Sequence, residues 1–226
     1  MRYKRAVIDS LNLSSFDIEK CFTDKEHYII EPIKSIGVFE PKEWIKTFGK
    51  SLNGSTIEAK IIHTHAGLTI PLKRHARSPQ NQTIEFAGLH GYNDRSKLLN
   101  QELRDKESQL LDTKIKRCDI AIDYERLPTK VKRELLKSRE PFTWINSEYH
   151  KTEKEKKTNS YINIVIYDKG IKEGLDYSLM RLEFSFRGSY LKGLHLKDID
   201  KAIQKMEKSI KKIADIDVKI EGLFSL

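Results

Sequence analysis

Two short stretches constrain this chain more than anything else in it. Residues 114–124, KIKRCDIAIDY, place Cys118, Ile120 and Ile122 at alternate positions, with Asp119, Ala121 and Asp123 between them. Residues 180–187, MRLEFSFR, set Leu182, Phe184 and Phe186 against Arg181, Glu183, Ser185 and Arg187 in the same way. Side chains along a strand point alternately to opposite faces, so each stretch predicts a strand with one apolar face and one charged face. If the two strands are neighbours, their acids and arginines meet on one side of a sheet while the apolar side needs cover.

The rest of the chain supplies more strands and that cover. Strands are expected at 27–31, 34–39, 56–63, 67–72 and 82–87, short segments separated by turn residues such as Asn53-Gly54. Residues 160–168, SYINIVIYD, read as a buried strand rich in β-branched residues. Helices are expected at 94–111, capped by Asp94, from Pro128 to about Arg139, and at 197–214, where Ile199, Ile203, Met206, Ile210 and Ile213 form an apolar stripe. The lysines around that stripe read as a solvated face. HKTEKEKKTN, 150–159, reads as an exposed loop. Strands and helices without a regular βαβ rhythm predict an α+β fold with a mainly antiparallel central sheet covered by helices. A length of 226 residues suits a single domain over 1–226, with a strand-rich part at 1–93 and a motif-bearing part at 94–226.

Charge narrows the partners. A net charge of +9 favours polyanions. Cys21 and Cys118 are the only cysteines, which excludes a disulfide framework and the usual zinc-finger spacings. No apolar run is long enough to span a bilayer, and MRYKRAVIDSLNL lacks the form of a secretory signal, so the expected location is cytoplasmic, without a membrane. The motifs GxxxxGK[ST], HExxH, GxSxG and GxGxxG are missing.

The candidate chemistry lies on the charged faces. Asp119, Asp123 and Glu183 are oxygen ligands of the kind that suit Mg²⁺ or Mn²⁺. Arg117, Arg181 and Arg187 beside them can hold a phosphate. The same residues also make an ordinary polar sheet face with cross-strand ion pairs. Tyr167 ends its strand two residues before Lys169. A cation close to a phenol lowers the cost of forming a phenolate, although by spacing alone Tyr167 is one of nine tyrosines. His63 and His65, at i and i+2, form a second candidate metal pair. His90, in GLHGYN, reads as a turn residue or a phosphate contact, and KRHAR, 73–77, as a basic stretch that can touch DNA.

The order of these pieces resembles that of the replication initiators of filamentous phages, the gene II type, and more distantly that of rolling-circle plasmid initiators. KIKRCDIAIDY, a helix, INIVIYDKG and MRLEFSFRGSYLKGLHLKDIDKA follow in the family's sequence, with FAGLHGYNDRSKLL upstream. The resemblance spans about residues 82–205. It implies a rolling-circle initiator or relaxase-like fold and a metal-dependent DNA-nicking and strand-joining endonuclease. Single-stranded origin DNA would be cut and rejoined through a covalent phosphotyrosine, with a host helicase as a further partner and, for a phage-encoded protein, the host cytoplasm as the place of action. Tyr167 is then the nucleophile, Lys169 its electrostatic helper, Asp119, Glu183 and Asp123 the metal ligands, and Arg117, Arg181, Arg187 and Lys192 DNA contacts. Asp168 directly follows the nucleophile. The alternative is a basic DNA-binding module of the same descent that does not cut.

Overall fold

The computed structural model describes residues 4–32, 56–75, 78–90, 93–152 and 162–223. The expected strand at 34–39, the Asn53-Gly54 turn and most of the 150–159 segment lie outside them. In chain order the main elements are β1 (Lys4–Phe16), β2 (Tyr28–Pro32), β3 (Thr56–His63), β4 (Leu68–His75), β5 (Ser78–Ala87), α1 (Asp94–Asp105), α2 (Glu107–Leu110), β6 (Lys114–Tyr124), α3 (Thr129–Leu136), β7 (Glu140–Trp144), β8 (Ser147–Lys151), β9 (Ile162–Asp168), α4 (Lys169–Glu173), β10 (Met180–Arg187), α5 (Ile199–Ala214) and β11 (Val218–Ile220).

The strands form one sheet in the order β2-β3-β4-β5-β1-β6-β10-β9-β8-β7. Every pairing along that path is antiparallel, and β11 adds a parallel pairing to β1. The fold is therefore α+β with a large antiparallel sheet. Cys118, Ile120 and Ile122 of β6, and Leu182, Phe184 and Phe186 of β10, belong to one apolar core with Ile199, Ala202, Met206 and Ile210 of α5. Burial of α5 follows its sequence stripe, and Lys201, Lys205, Lys208, Lys211 and Lys212 are exposed. No helix is long and apolar enough to cross a membrane among the described residues.

Three local features depart from the sequence expectation. The 94–111 helix is broken at Lys106 into α1 and α2, and its cap is Asn93, whose side chain accepts from the Ser96 N–H at 3.0 Å, with Asp94 inside the first turn. The longest strand, β1, lies mid-sheet between β5 and β6. Its pairing with β6 runs Ile8↔Ile120 and then Ser10↔Asp119, so Asp9 is an extra residue in a β-bulge. Finally, residues from 140 onward form a hairpin. His150 and Lys151, expected in an exposed loop, are in β8, and His150 is buried. The hairpin turns through Ile145 (φ 44°) and Asn146 (φ 56°), the left-handed pair that a two-residue primed turn needs. A β-branched residue is strained in that region, at a cost of roughly 1–3 kcal/mol.

Candidate active site

The strand registers assemble the site. Across β6 and β10, Asp123 faces Arg181, Ala121 faces Glu183 and Asp119 faces Ser185. Across β10 and β9, Arg181 faces Tyr167 and Glu183 faces Val165. Directly paired residues share a face. Tyr167, Arg181, Glu183, Asp119 and Asp123 therefore occupy the same side of the sheet, opposite the apolar core.

Arg181 holds this face together. Its guanidinium meets Asp123 with Nε and Nη2, both at 2.7 Å, and Asp9 with Nη1 at 2.7 Å, while the His90 carbonyl accepts from Nη2 at 3.3 Å. The side chain is fully buried. Burial would lower its pKa, but the hydrogen bonds it donates to Asp123 and the charge of Asp9 prevail and fix the proton more firmly than usual. The sequence suggested Arg181 as a DNA contact; the structure places it beneath the surface with its donors engaged by carboxylates. Asp9 went unnoticed in sequence, although a carboxylate after Ala6-Val7-Ile8 was the available signal.

The other end of the face is more open. Arg117 binds Asp119 through Nε at 2.9 Å and Nη2 at 2.7 Å, and its Nε also reaches the Ser185 hydroxyl at 3.1 Å. The Arg117 side chain is 37% exposed, whereas that of Asp119 is buried. Burial raises the Asp119 pKa against the opposing pull of Arg117. Arg187 is half-buried and directly opposite Arg117; burial and that like charge lower its pKa. Lys192 is exposed, beyond the far end of β10 from Arg181. Its neighbour Tyr190 donates to the Lys205 carbonyl at 2.7 Å, so the Tyr190-Leu191-Lys192 segment docks on α5.

Between the two arginines lie Tyr167 and Glu183. The Tyr167 hydroxyl donates to Glu183 Oε2 at 3.1 Å. Burial first, then the carboxylates of Asp119 and Asp9, push the Glu183 pKa up to about 7. Burial and the Glu183 charge raise the Tyr167 phenol above its usual value, with Arg181 opposing them. Glu183 is thus within hydrogen-bond reach of the Tyr167 proton. Lys169 is buried and pairs with Glu173 at 2.6 Å, and the ammonium over the Tyr167 ring, 5.0 Å from its centroid, belongs to Lys172. Asp168 caps α4 by accepting from the Ile171 N–H at 2.9 Å.

Asp123 is tied to Arg181 by both oxygens, and no group of three or more His, Cys, Asp or Glu side chains converges as a metal site among the described residues. Mg²⁺ commonly takes one or two carboxylates and completes its shell with phosphate and water. Asp119 is held by Arg117 through both oxygens, as Asp123 is by Arg181, so Asp119 and Glu183 would supply that smaller set only with Arg117 moved off Asp119. His63 and His65 do not join them. They lie with His27 near the β2–β3 end of the sheet, the His27 ring centroid 6.0 Å from that of His63 and 5.1 Å from that of His65, and β4, β5 and β1 intervene before β6.

No protein-family model matches this chain, and no curated protein matches it.

Proposed function

We propose that this protein is a rolling-circle type DNA replication initiator, relaxase-like in architecture, that nicks and rejoins single-stranded origin DNA through Tyr167. The observation that carries this reading is the 3.1 Å hydrogen bond from the Tyr167 hydroxyl to a carboxylate whose pKa is raised to about 7. The motif order described above adds the choice of substrate. In the first step Tyr167 Oη attacks the phosphorus while Glu183 accepts the phenol proton. A phosphorus–oxygen bond to tyrosine forms, the bond to one deoxyribose oxygen breaks, and that oxygen leaves as a hydroxyl with a proton taken from water. Rejoining is the reverse: a strand hydroxyl gives its proton to water as it attacks the phosphotyrosine, and Glu183 returns its proton to the phenol.

Arg117, partly exposed and already oriented by Asp119, is placed to bind a non-bridging phosphate oxygen. Arg181 ties β10 to β6 and β1, which fixes the strand that carries Glu183. Mg²⁺ or Mn²⁺ would be held by Asp119 and Glu183 once Arg117 has moved from Asp119 to the phosphate, and would neutralise charge there. The proposed setting is the cytoplasm of the host cell, with a host helicase acting on the opened origin.

One observation favours the binding-only alternative: the elevated pKa of Tyr167 keeps the phenol neutral in the absence of substrate. The two readings separate on a denaturing gel. After incubation with single-stranded origin DNA and Mn²⁺, the nicking reading expects a covalent protein–DNA adduct that Tyr167→Phe abolishes. An adduct that persists in Tyr167→Phe moves the nucleophile to another tyrosine, such as Tyr149 or Tyr177, or Tyr161, which lies outside the described residues. Salt-sensitive binding with no adduct in the parent protein selects the non-cutting module.

A further inference from the structure

The β7–β8 hairpin extends the same sheet face to its edge. Its registers continue those of the site: Ser147 faces Tyr167 and Tyr149 faces Val165, while Trp144 faces Ser147 and Phe142 faces Tyr149. One row across the sheet therefore reads Trp144, Ser147, Tyr167, Arg181, Asp123, and the next reads Phe142, Tyr149, Val165, Glu183, Ala121. Trp144 is two strands from Tyr167, about 10 Å at ordinary strand spacing.

The aromatic side chains in these rows are arranged for contact and left open. Phe142 and Tyr149 stack with centroids 5.2 Å apart and planes 18° apart, and the Trp144 ring centroid is 6.2 Å from that of Tyr149. Trp144 is 61% exposed and Phe142 41%, while Ile145 at the strained tip is 73% exposed. Lys151 sits over the Phe142 ring at 5.2 Å, as Lys172 sits over Tyr167. Glu148 points to the other face, where Lys132 of α3 holds it at 2.9 Å. The hairpin is thus pinned from behind and offers rings and ammonium groups in front. The tip carries Ile-Asn where Asn-Gly would turn without strain, so an exposed apolar side chain is kept there at the expense of turn geometry.

We propose that this surface is a base-stacking platform for single-stranded DNA, with Trp144, Phe142 and Tyr149 receiving unpaired bases beside the phosphate presented to Tyr167. The proposal rests on the nicking reading for the identity of the strand. Stacked rings flanked by cations match a single strand, which offers a flat face on every base and a negative charge between bases. The rows lead such a strand directly to the Tyr167–Glu183 pair.

The test uses the full chain carrying Tyr167→Phe, so that binding is read without cleavage, and fluorescence anisotropy of a labelled oligothymidylate at fixed salt. Adding Phe142→Ala and Trp144→Ala is expected to weaken binding by about 10- to 100-fold. An abasic strand of equal length should bind the undisturbed hairpin less tightly by a similar factor, and the double substitution should remove that preference. This second comparison needs no change in the hairpin, so a folding defect cannot imitate it. In a Trp44→Phe background, oligothymidylate should also quench Trp144 emission. Equal affinity for normal and abasic strands, or unchanged binding by the hairpin variant, overturns the platform and leaves the nicking reading standing. Failure of the parent protein to bind any single strand overturns both. A parent dimer that the hairpin substitutions dissolve, with DNA affinity unchanged, assigns the patch to a second copy of the chain and overturns the proposal.

Discussion

Arg181 and Arg117 lie on the same sheet face, each bound to aspartate, yet their surroundings make them different devices. Arg181 is sealed in, bridging Asp123 on the neighbouring strand and Asp9 on β1. Arg117 reaches along its own strand to Asp119 and keeps part of its guanidinium in solvent. A buried ion pair is a poor source of net stability but a costly one to break, whereas a partly solvated guanidinium keeps the capacity to meet a new anion. The comparison separates a residue that holds strands in place from one available to substrate, although the two look alike in sequence.

The sharpest way to break this distinction is Arg181→Met. It leaves Asp9 and Asp123 without their cation, and a loss of about 3–5 kcal/mol is expected in urea denaturation. A variant within about 1 kcal/mol of the parent would show that Arg181 holds nothing together. Next comes Arg117→Ala, for which nicking of single-stranded DNA should slow by about 10²–10³-fold through loss of a donor to the phosphate. Its stability should fall by only about 1–2 kcal/mol, because Asp119, whose pKa already lies above normal, can take a proton instead of remaining an unpaired charge. If the two arginine variants lose stability equally, the contrast between them disappears.

A change in stability smaller than that of Arg181→Met is expected at the carboxylate between them. Glu183 has a folded-state pKa of about 7 against an ordinary 4.5, so between these values the folded protein holds a proton that the unfolded chain has released. Its contribution to stability is complete below about pH 4.5, declines as the pH rises and is gone above about 7. Activity should change in the opposite direction, since only the ionised carboxylate can accept the Tyr167 proton, and nicking should rise with pH through about 7. Glu183→Gln should remove the rising limb and leave the protein about 1–3 kcal/mol more stable than the parent above pH 7 in chemical denaturation. Asp119, Asp9, Tyr167 and Arg117 act on this carboxyl, and a profile unchanged by the substitution would assign the titration to one of them.

The parts of the fold legible in sequence were those with an unbroken period. β6 and β10 alternate cleanly and begin and end where their patterns do, and the buried residues of α5 follow its apolar stripe. β1 was hidden because its alternation changes phase: Ile8 and Leu11 both face the core, and the bulge at Asp9 absorbs the mismatch. The β7–β8 hairpin was hidden because every residue of β7 is exposed and its turn lacks the usual residues. At the candidate site, the acids and arginines of β6 and β10 could be placed on one face from strand parity once the two strands are neighbours, whereas the face of Tyr167 follows only from the β9–β10 register. The pairing of these side chains could not be read from parity. Whether Asp123 meets a metal or Arg181, and whether Lys169 or Lys172 stands over Tyr167, depends on the third dimension.

The bulge makes one carboxylate separable from the strand that bears it. If a single codon for Asp9 were deleted, Ile8 and Ser10 would become consecutive opposite Ile120 and Asp119, and the other β1–β6 pairs would keep their partners, while the Asp9 carbonyl that accepts from the Gly88 and Leu89 N–H groups would be lost. The shortened strand would be the more regular one, and Arg181 would retain Asp123 and the His90 carbonyl. A chain of this design can therefore lose part of its charged cluster with one residue while the β1–β6 ladder keeps its partners.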